Sequence, residues 1–243
     1  MTPVSTDDVA RRLVEVRAST ERLLADLTDR PRTESDVRAP SLLPGWSRAH
    51  VLSHLARNAE ALARTLGGTA RGELVPMYAG EDERAADIEA GAVLPADELV
   101  AAVASTAAAL DELWSGLTPE QWAGQARTRL GVVPARRVIG SRWREIEIHR
   151  VDLDEGYGPG DWPASFVAPL LPSLMDADAL WPRLPRGVQI EVTDIDSGQV
   201  WTVGSGDRVR VTGPGYALVG WLLGRTAAVR DELGSPPELA PWL

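Results

Sequence analysis

Residues 44–62 read PGWSRAHVLSHLARNAEAL, and their reading decides the fold. Pro44-Gly45 signals a turn, Ser47 is a good N-cap, and apolar side chains then recur at helical spacing. This predicts a helix from about Arg48 to Leu66, stopped at Gly67-Gly68. A step of 100° per residue sets His54 between Val51 on one side and Leu62 on the other. His54 therefore points into whatever this helix packs against. His50 lies one turn earlier on nearly the same face.

Working outward, residues 5–28 predict another helix. Ser5 serves as N-cap, Asp7 and Asp8 sit in the first turn, and Val9, Leu13, Val16, Leu23, Leu24 and Leu27 supply the apolar positions. Pro31 closes that segment. A short helix is expected from Glu81 to Glu89. Pro95 opens a long Ala-rich helix, Ala96 to Leu117, closed by Thr118-Pro119. Pro134 opens a fourth, to about Asp154, with Gly156 beyond its end. Four long helices with polar connections predict a bundle over residues 1–160.

After about residue 160 the pattern changes. Prolines 163, 169, 172, 182 and 185 leave room for one short helix, 164–180. Val188, Ile190 and Val192 alternate, Asp196-Ser197-Gly198 turns, Val200–Val203 continues, and Val209 alternates with Val211 after a second turn. A last helix is expected from Tyr216 to Leu233. Residues 161–243 thus read as a small α/β domain, and the fold class as α+β. The Trp242-Leu243 end is apolar and is expected to dock.

Composition narrows the function. The 243 residues are 44% hydrophobic and carry a formal net charge of −10. So acidic a chain lacks the basic face of a nucleic-acid binder and the attraction for an anionic membrane. No apolar run approaches the roughly 18 residues of a spanning helix, and the N-terminus has no signal core. The cytoplasm is the expected location. There is no cysteine, so a disulfide, a thiolate metal site and a cysteine nucleophile are excluded. All 25 basic residues are arginine, which excludes a Schiff-base lysine. There is no GxSxG element, and Gly204-Ser205-Gly206 lacks the spacing and the lysine of a phosphate loop. The nine tryptophans read as core or domain-interface packing.

Only three histidines exist: His50, His54 and His149. On the fourth long helix Val138, Arg142, Glu145, His149 and Asp152 form one stripe. Glu145 and His149 are at i, i+4, so both can reach one ion. With His54 they make two imidazoles and a carboxylate, a set that suits zinc or another divalent first-row metal and leaves open positions. The spacing is not HExxH and implies no metalloprotease. Spacing alone leaves a second reading open, a hydrogen-bonded core histidine beside ordinary ion pairs on a solvated face. His50, near its helix start, fits packing beside Trp46 or a bond to the loop. Glu147 faces away from Glu145 and reads as a solvated charge. Arg225, ending GWLLGR, is either a cation at a helix interruption or an anion clamp.

Three segments taken together, residues 44–62 above, SRWREIEIHRVDL (141–153) and VRVTGPGYALVGWLLGR (209–225), resemble the mycothiol-dependent maleylpyruvate isomerase family. The likeness runs in order across nearly the whole chain, to the Trp-Leu end. It implies a DinB-like metal-binding bundle followed by a small α/β domain similar to sterol-carrier proteins. It implies His54, Glu145 and His149 as ligands of a divalent metal, zinc being expected, and Arg225 as the catalytic arginine. It also implies mycothiol as a cofactor whose thiol adds to maleylpyruvate, permits bond rotation and leaves, giving fumarylpyruvate. The partners expected are a small-molecule substrate and a low-molecular-weight thiol, in a monomer or homodimer serving gentisate-type aromatic catabolism. A fold shared this widely does not fix the reaction. A mycothiol transferase acting on another electrophile, and a non-catalytic metal or small-molecule binder, remain the alternatives.

Overall fold

The computed structural model describes residues 6–129 and 131–241. The expectations for Ser5 and for Trp242-Leu243 fall outside them. The chain divides into two compact units, residues 1–155 and 156–243. A helical N-terminal region is followed by a small domain built on a sheet.

The first unit contains α1 (Thr6–Asp29), α2 (Glu34–Arg38), α3 (Arg48–Ala70), α4 (Glu81–Ala92), α5 (Ala96–Gly116), α6 (Pro119–Ala123), β1 (Gln125–Thr128), β2 (Gly131–Pro134) and α7 (Arg137–Asp152). The four long helices, α1, α3, α5 and α7, turn their apolar faces to one core. Val16, Leu23 and Leu27 of α1, Leu52, Leu55, Leu62 and Leu66 of α3, Leu99 and Leu110 of α5, and Val138, Ile139 and Ile146 of α7 are all essentially withdrawn from solvent. Each such side chain contributes about 1.5–3 kcal/mol on burial.

Two boundaries differ from the sequence reading. Helix α3 does not stop at Gly67-Gly68 but continues to Ala70. Gly68 serves packing instead. A Cβ there would lie 2.6 Å from Val75 Cγ2 and 3.0 Å from the Glu73 carbonyl. Pro134 does not open the fourth helix. It ends β2, which pairs antiparallel with β1, and α7 begins only at Arg137. This hairpin is short and its side chains are largely exposed, so it has little apolar alternation to announce it.

The second unit contains α8 (Ala164–Leu174), α9 (Ala177–Leu180), β3 (Val188–Asp194), β4 (Val200–Gly204), β5 (Asp207–Gly213), α10 (Gly215–Leu222) and α11 (Arg230–Leu233). The expected helices over 164–180 and 216–233 are each broken. Met175 and Asp176 separate α8 from α9, with the Asp176 carboxylate capping α9. Gly224, at φ 83°, turns the chain after α10. The sheet has the order β4-β3-β5, β3 running antiparallel to β4 and parallel to β5. Ile190, Val192, Val203 and Val211 face a core shared with Phe166, Leu170, Leu218 and Trp221.

Candidate metal centre

The site begins with the turn before α3. Gly45 sits at φ 80°, and the Trp46 N–H donates to the Leu43 carbonyl over 3.0 Å. Proline followed by a left-handed glycine is the requirement of a type II turn. The turn delivers Trp46 to within 5.6 Å of the His54 ring and stacks it on His50 at 6.2 Å. At the start of α3, His50 Nδ1 accepts from the Ser47 N–H at 3.2 Å and lies 2.7 Å from the Ser47 hydroxyl. His50 Nε2 turns to Glu89, 3.2 Å away. Both ring nitrogens of His50 are thus engaged away from the other two histidines.

One turn on, His54 is 3% exposed, while the Glu145 and His149 side chains keep 29% and 16% of theirs. The group is therefore closed on the α3 side and open on the α7 side. His54 Nε2 lies 2.8 Å from Glu145 Oε2, and His149 Nε2 lies 3.3 Å from the same oxygen. The two rings stand edge to face with centroids 4.5 Å apart. One donor atom from each of His54, Glu145 and His149 lies within 4.8 Å of the others. Ligands about 2 Å from a tetrahedral ion stand roughly 3.3 Å apart, so small shifts would bring this group to zinc. Two imidazole nitrogens and one carboxylate oxygen form the three-ligand set of an open zinc site.

Electrostatics suit the same use. Burial pushes the His54 pKa down to about 4, helped by repulsion from His149, and the bond to Glu145 does not reverse this. His54 is therefore neutral at physiological pH, as a ligand must be. Burial opposes charge on His149 too, but hydrogen bonds to Asp152 and Glu145 outweigh it and raise its pKa. Burial also opposes ionisation of Glu145, yet the bonds from His149 and His54 hold its carboxyl well below the usual range. His149 Nδ1 donates to the buried Asp152 over 2.8 Å. That bond fixes the ring and turns Nε2 toward Glu145, as carboxylates do behind metal-binding histidines.

Residues 7–154 match the family described as the mycothiol maleylpyruvate isomerase N-terminal domain. The chain belongs to the mycothiol maleylpyruvate isomerase family. Two solved structures are similar over almost their full length. A crystal structure of the mycothiol-dependent maleylpyruvate isomerase with one histidine replaced by alanine superposes at a TM-score of 0.86, with 28% identity. The crystal structure of the enzyme without that change gives 0.84, also at 28% identity. In both cases 96% of this chain and 97% of the other are covered. No curated protein sequence matches the chain. Membership of the mycothiol maleylpyruvate isomerase family makes the chain an enzyme.

Within this member of the mycothiol maleylpyruvate isomerase family, one sequence expectation is corrected. Glu147 is not a solvated charge but is fully buried between α1 and α7. Ser19 donates its hydroxyl to Glu147 and itself accepts from Trp143 Nε1 at 2.8 Å, while Arg22 approaches Glu147 at 3.3 Å. Helix α7 is covered on nearly every side, so facing away from Glu145 did not mean facing water. Arg142 is also buried, donating to the Leu55 carbonyl at 2.8 Å and Asn58 at 3.0 Å. Burial lowers its pKa to about 10, which leaves it charged at neutral pH.

Two further residues escaped the sequence reading. Arg84, on α4, places Nη2 3.4 Å from His54 Nδ1 and its guanidinium carbon 5.9 Å above the centre of the Tyr78 ring. Tyr78 is held by its neighbours: Pro76 bridges to Arg127 of β1, and Arg64 of α3 donates to the Met77 carbonyl at 2.7 Å. Burial raises the Tyr78 pKa. A cavity of about 220 Å³ opens beside Tyr78, lined also by Glu81, Arg127 and Arg129. Neither Arg84 nor Tyr78 belongs to a motif, and only the third dimension brings them to His54. In the second unit, Arg225 follows Gly224, half-buried, with Nη1 donating to the Leu223 carbonyl at 2.6 Å.

Proposed function

We propose that the chain catalyses the mycothiol- and metal-dependent cis–trans isomerisation of maleylpyruvate to fumarylpyruvate. The observation that carries this reading is the convergence of His54, Glu145 and His149 on a fold of this family. These three residues hold a divalent ion, and zinc suits the donor set. Held by His54, Glu145 and His149, such an ion would supply acidification of a thiol, and so the nucleophile that a thiol-dependent isomerisation needs.

The protein's own contribution is positioning and charge. His54 can serve as a neutral ligand through Nε2 because burial keeps its imidazole uncharged. Glu145 stays ionised between the two rings. Asp152 orients His149. The exposed flanks of Glu145 and His149 leave room for thiol and substrate. The absence of cysteine accords with a borrowed nucleophile. Arg225 enters through the family resemblance alone, as the group that holds a substrate carboxylate or the enolate charge formed on addition.

Elemental analysis of the purified chain should find about one divalent metal per molecule, lost in His54→Ala and His149→Ala. Maleylpyruvate absorbance should then decay only with mycothiol present, and Arg225→Ala should slow the decay without lowering metal content. Turnover without thiol, or none with it, would reject the assignment. A released thiol adduct in place of fumarylpyruvate would make the chain a transferase.

A further inference from the structure

We infer that Arg84 is a substrate-binding residue, holding a carboxylate beside the metal centre in a way that depends on the metal being there. The inference rests on the proposed reading in one respect, that the substrate is an unsaturated dicarboxylate.

The argument starts from hydrogen-bond roles. A guanidinium only donates, so its contact with His54 Nδ1 requires that nitrogen to accept. The proton of neutral His54 then sits on Nε2 and is donated to Glu145. This arrangement suits the metal-free protein alone. With His54 ligating through Nε2, its proton must move to Nδ1, and two donors then face each other across 3.4 Å. That pairing is repulsive, and it releases Arg84 Nη2 from His54. An anionic oxygen placed between Arg84 Nη2 and His54 Nδ1–H satisfies both donors at once.

The surroundings fit such a ligand. Among the described residues no carboxylate pairs with Arg84, although most arginines of this unit have one. Tyr78 supports the guanidinium through its ring, 5.9 Å away, and its hydroxyl accepts one hydrogen bond from it, which leaves other N–H groups of the five to donate elsewhere. The buried Arg142, which donates to a carbonyl and an amide, adds a fixed positive charge one turn from Glu145. The side chain of Arg84 is half-buried, so it is partly screened from bulk water. A planar fork beside the Nδ1–H of a metal-bound imidazole is well matched to a carboxylate.

The test is calorimetric titration of maleate, without thiol, into zinc-loaded and zinc-free protein. Wild type loaded with zinc should bind maleate roughly 10- to 100-fold more tightly than Arg84→Gln at equal zinc content, the range of a charge-assisted hydrogen bond. Without zinc, the two should agree within about threefold, because Arg84 is then engaged by His54. Arg84→Lys should recover part of the affinity, since charge is kept and the fork lost. Equal binding by wild type and Arg84→Gln with zinc overturns the inference. So does an Arg84 effect of the same size in zinc-free protein. Should Arg84→Gln fail to load zinc, Arg84→Lys decides: weaker binding than wild type supports the assignment, and equal binding ends it. Arg84-dependent binding without thiol-dependent turnover would sink the reaction and leave Arg84 standing. Turnover without an Arg84 effect on maleate would do the reverse.

Discussion

The centre is balanced by Asp152 as much as by its three ligand candidates. His149 is held between two carboxylates, Asp152 at 2.8 Å and Glu145 at 3.3 Å, and its pKa is raised in consequence. A metal on Nε2 must displace that proton. Zinc affinity should therefore keep rising with pH above 6.5, the ordinary histidine value, until His149 has lost its charge. Titrations in two buffers of different ionisation enthalpy should show protons released per zinc at pH 6.5, fewer at pH 8. His54, neutral down to about pH 4, contributes no release in that range. For the metal-free fold the two histidines act oppositely. His149 stabilises below pH 6.5, and that contribution is lost as pH rises through its raised pKa. His54 costs stability as pH falls from 6.5 toward 4, because only the unfolded chain accepts its proton there. Replacing Asp152 by Asn should weaken zinc binding by about 10- to 100-fold and reduce the proton release, while leaving the circular dichroism unchanged.

At the scale of elements, the decisive packing is α4 against α3. Ser53, the residue before His54, donates its hydroxyl to the Ile88 carbonyl of α4 at 2.8 Å. Gly91 lets α4 approach this closely, since a Cβ at that position would collide with the Ser53 hydroxyl. Gly91→Ala should cost about 1–3 kcal/mol by overpacking, measured by urea denaturation. Adding Ser53→Ala should return part of the loss, because the clash is with that side chain. Since α4 carries Arg84 and none of His54, Glu145 and His149, Gly91→Ala should weaken maleate binding more than zinc binding. The same elements show what was legible in the sequence. The direction of His54 followed from the period of α3, and the Glu145–His149 pair from the period of α7. Glu147 was misread because period alone cannot tell a face toward water from a face toward α1. Helix α4 was visible, but nothing in its own pattern said that its Arg84 meets His54, a contact made by the packing of two helices.

For the whole molecule, the consequence of the site is linkage between metal and fold. The ligand candidates come from α3 and α7, about ninety residues apart in sequence, so an unfolded chain offers no equivalent group. Zinc that binds only the folded unit contributes about 2.7 kcal/mol at a hundred times its dissociation constant. Spread over a chain of this size, that is an upward shift of roughly 5–10 °C in the midpoint of the unit that holds the site. Among the described residues, His54, Glu145 and His149 form the one such donor group, and all three lie in the first unit. Zinc should therefore slow amide exchange in α3 and α7, the helices it joins. His149→Ala should abolish the slowing, since a two-ligand remnant of one imidazole and one carboxylate binds weakly. His50→Ala should leave it intact, because both ring nitrogens of His50 already serve Ser47 and Glu89. A loss of zinc protection in the His50 variant equal to that in His149→Ala would show that the centre is not the one formed by His54, Glu145 and His149.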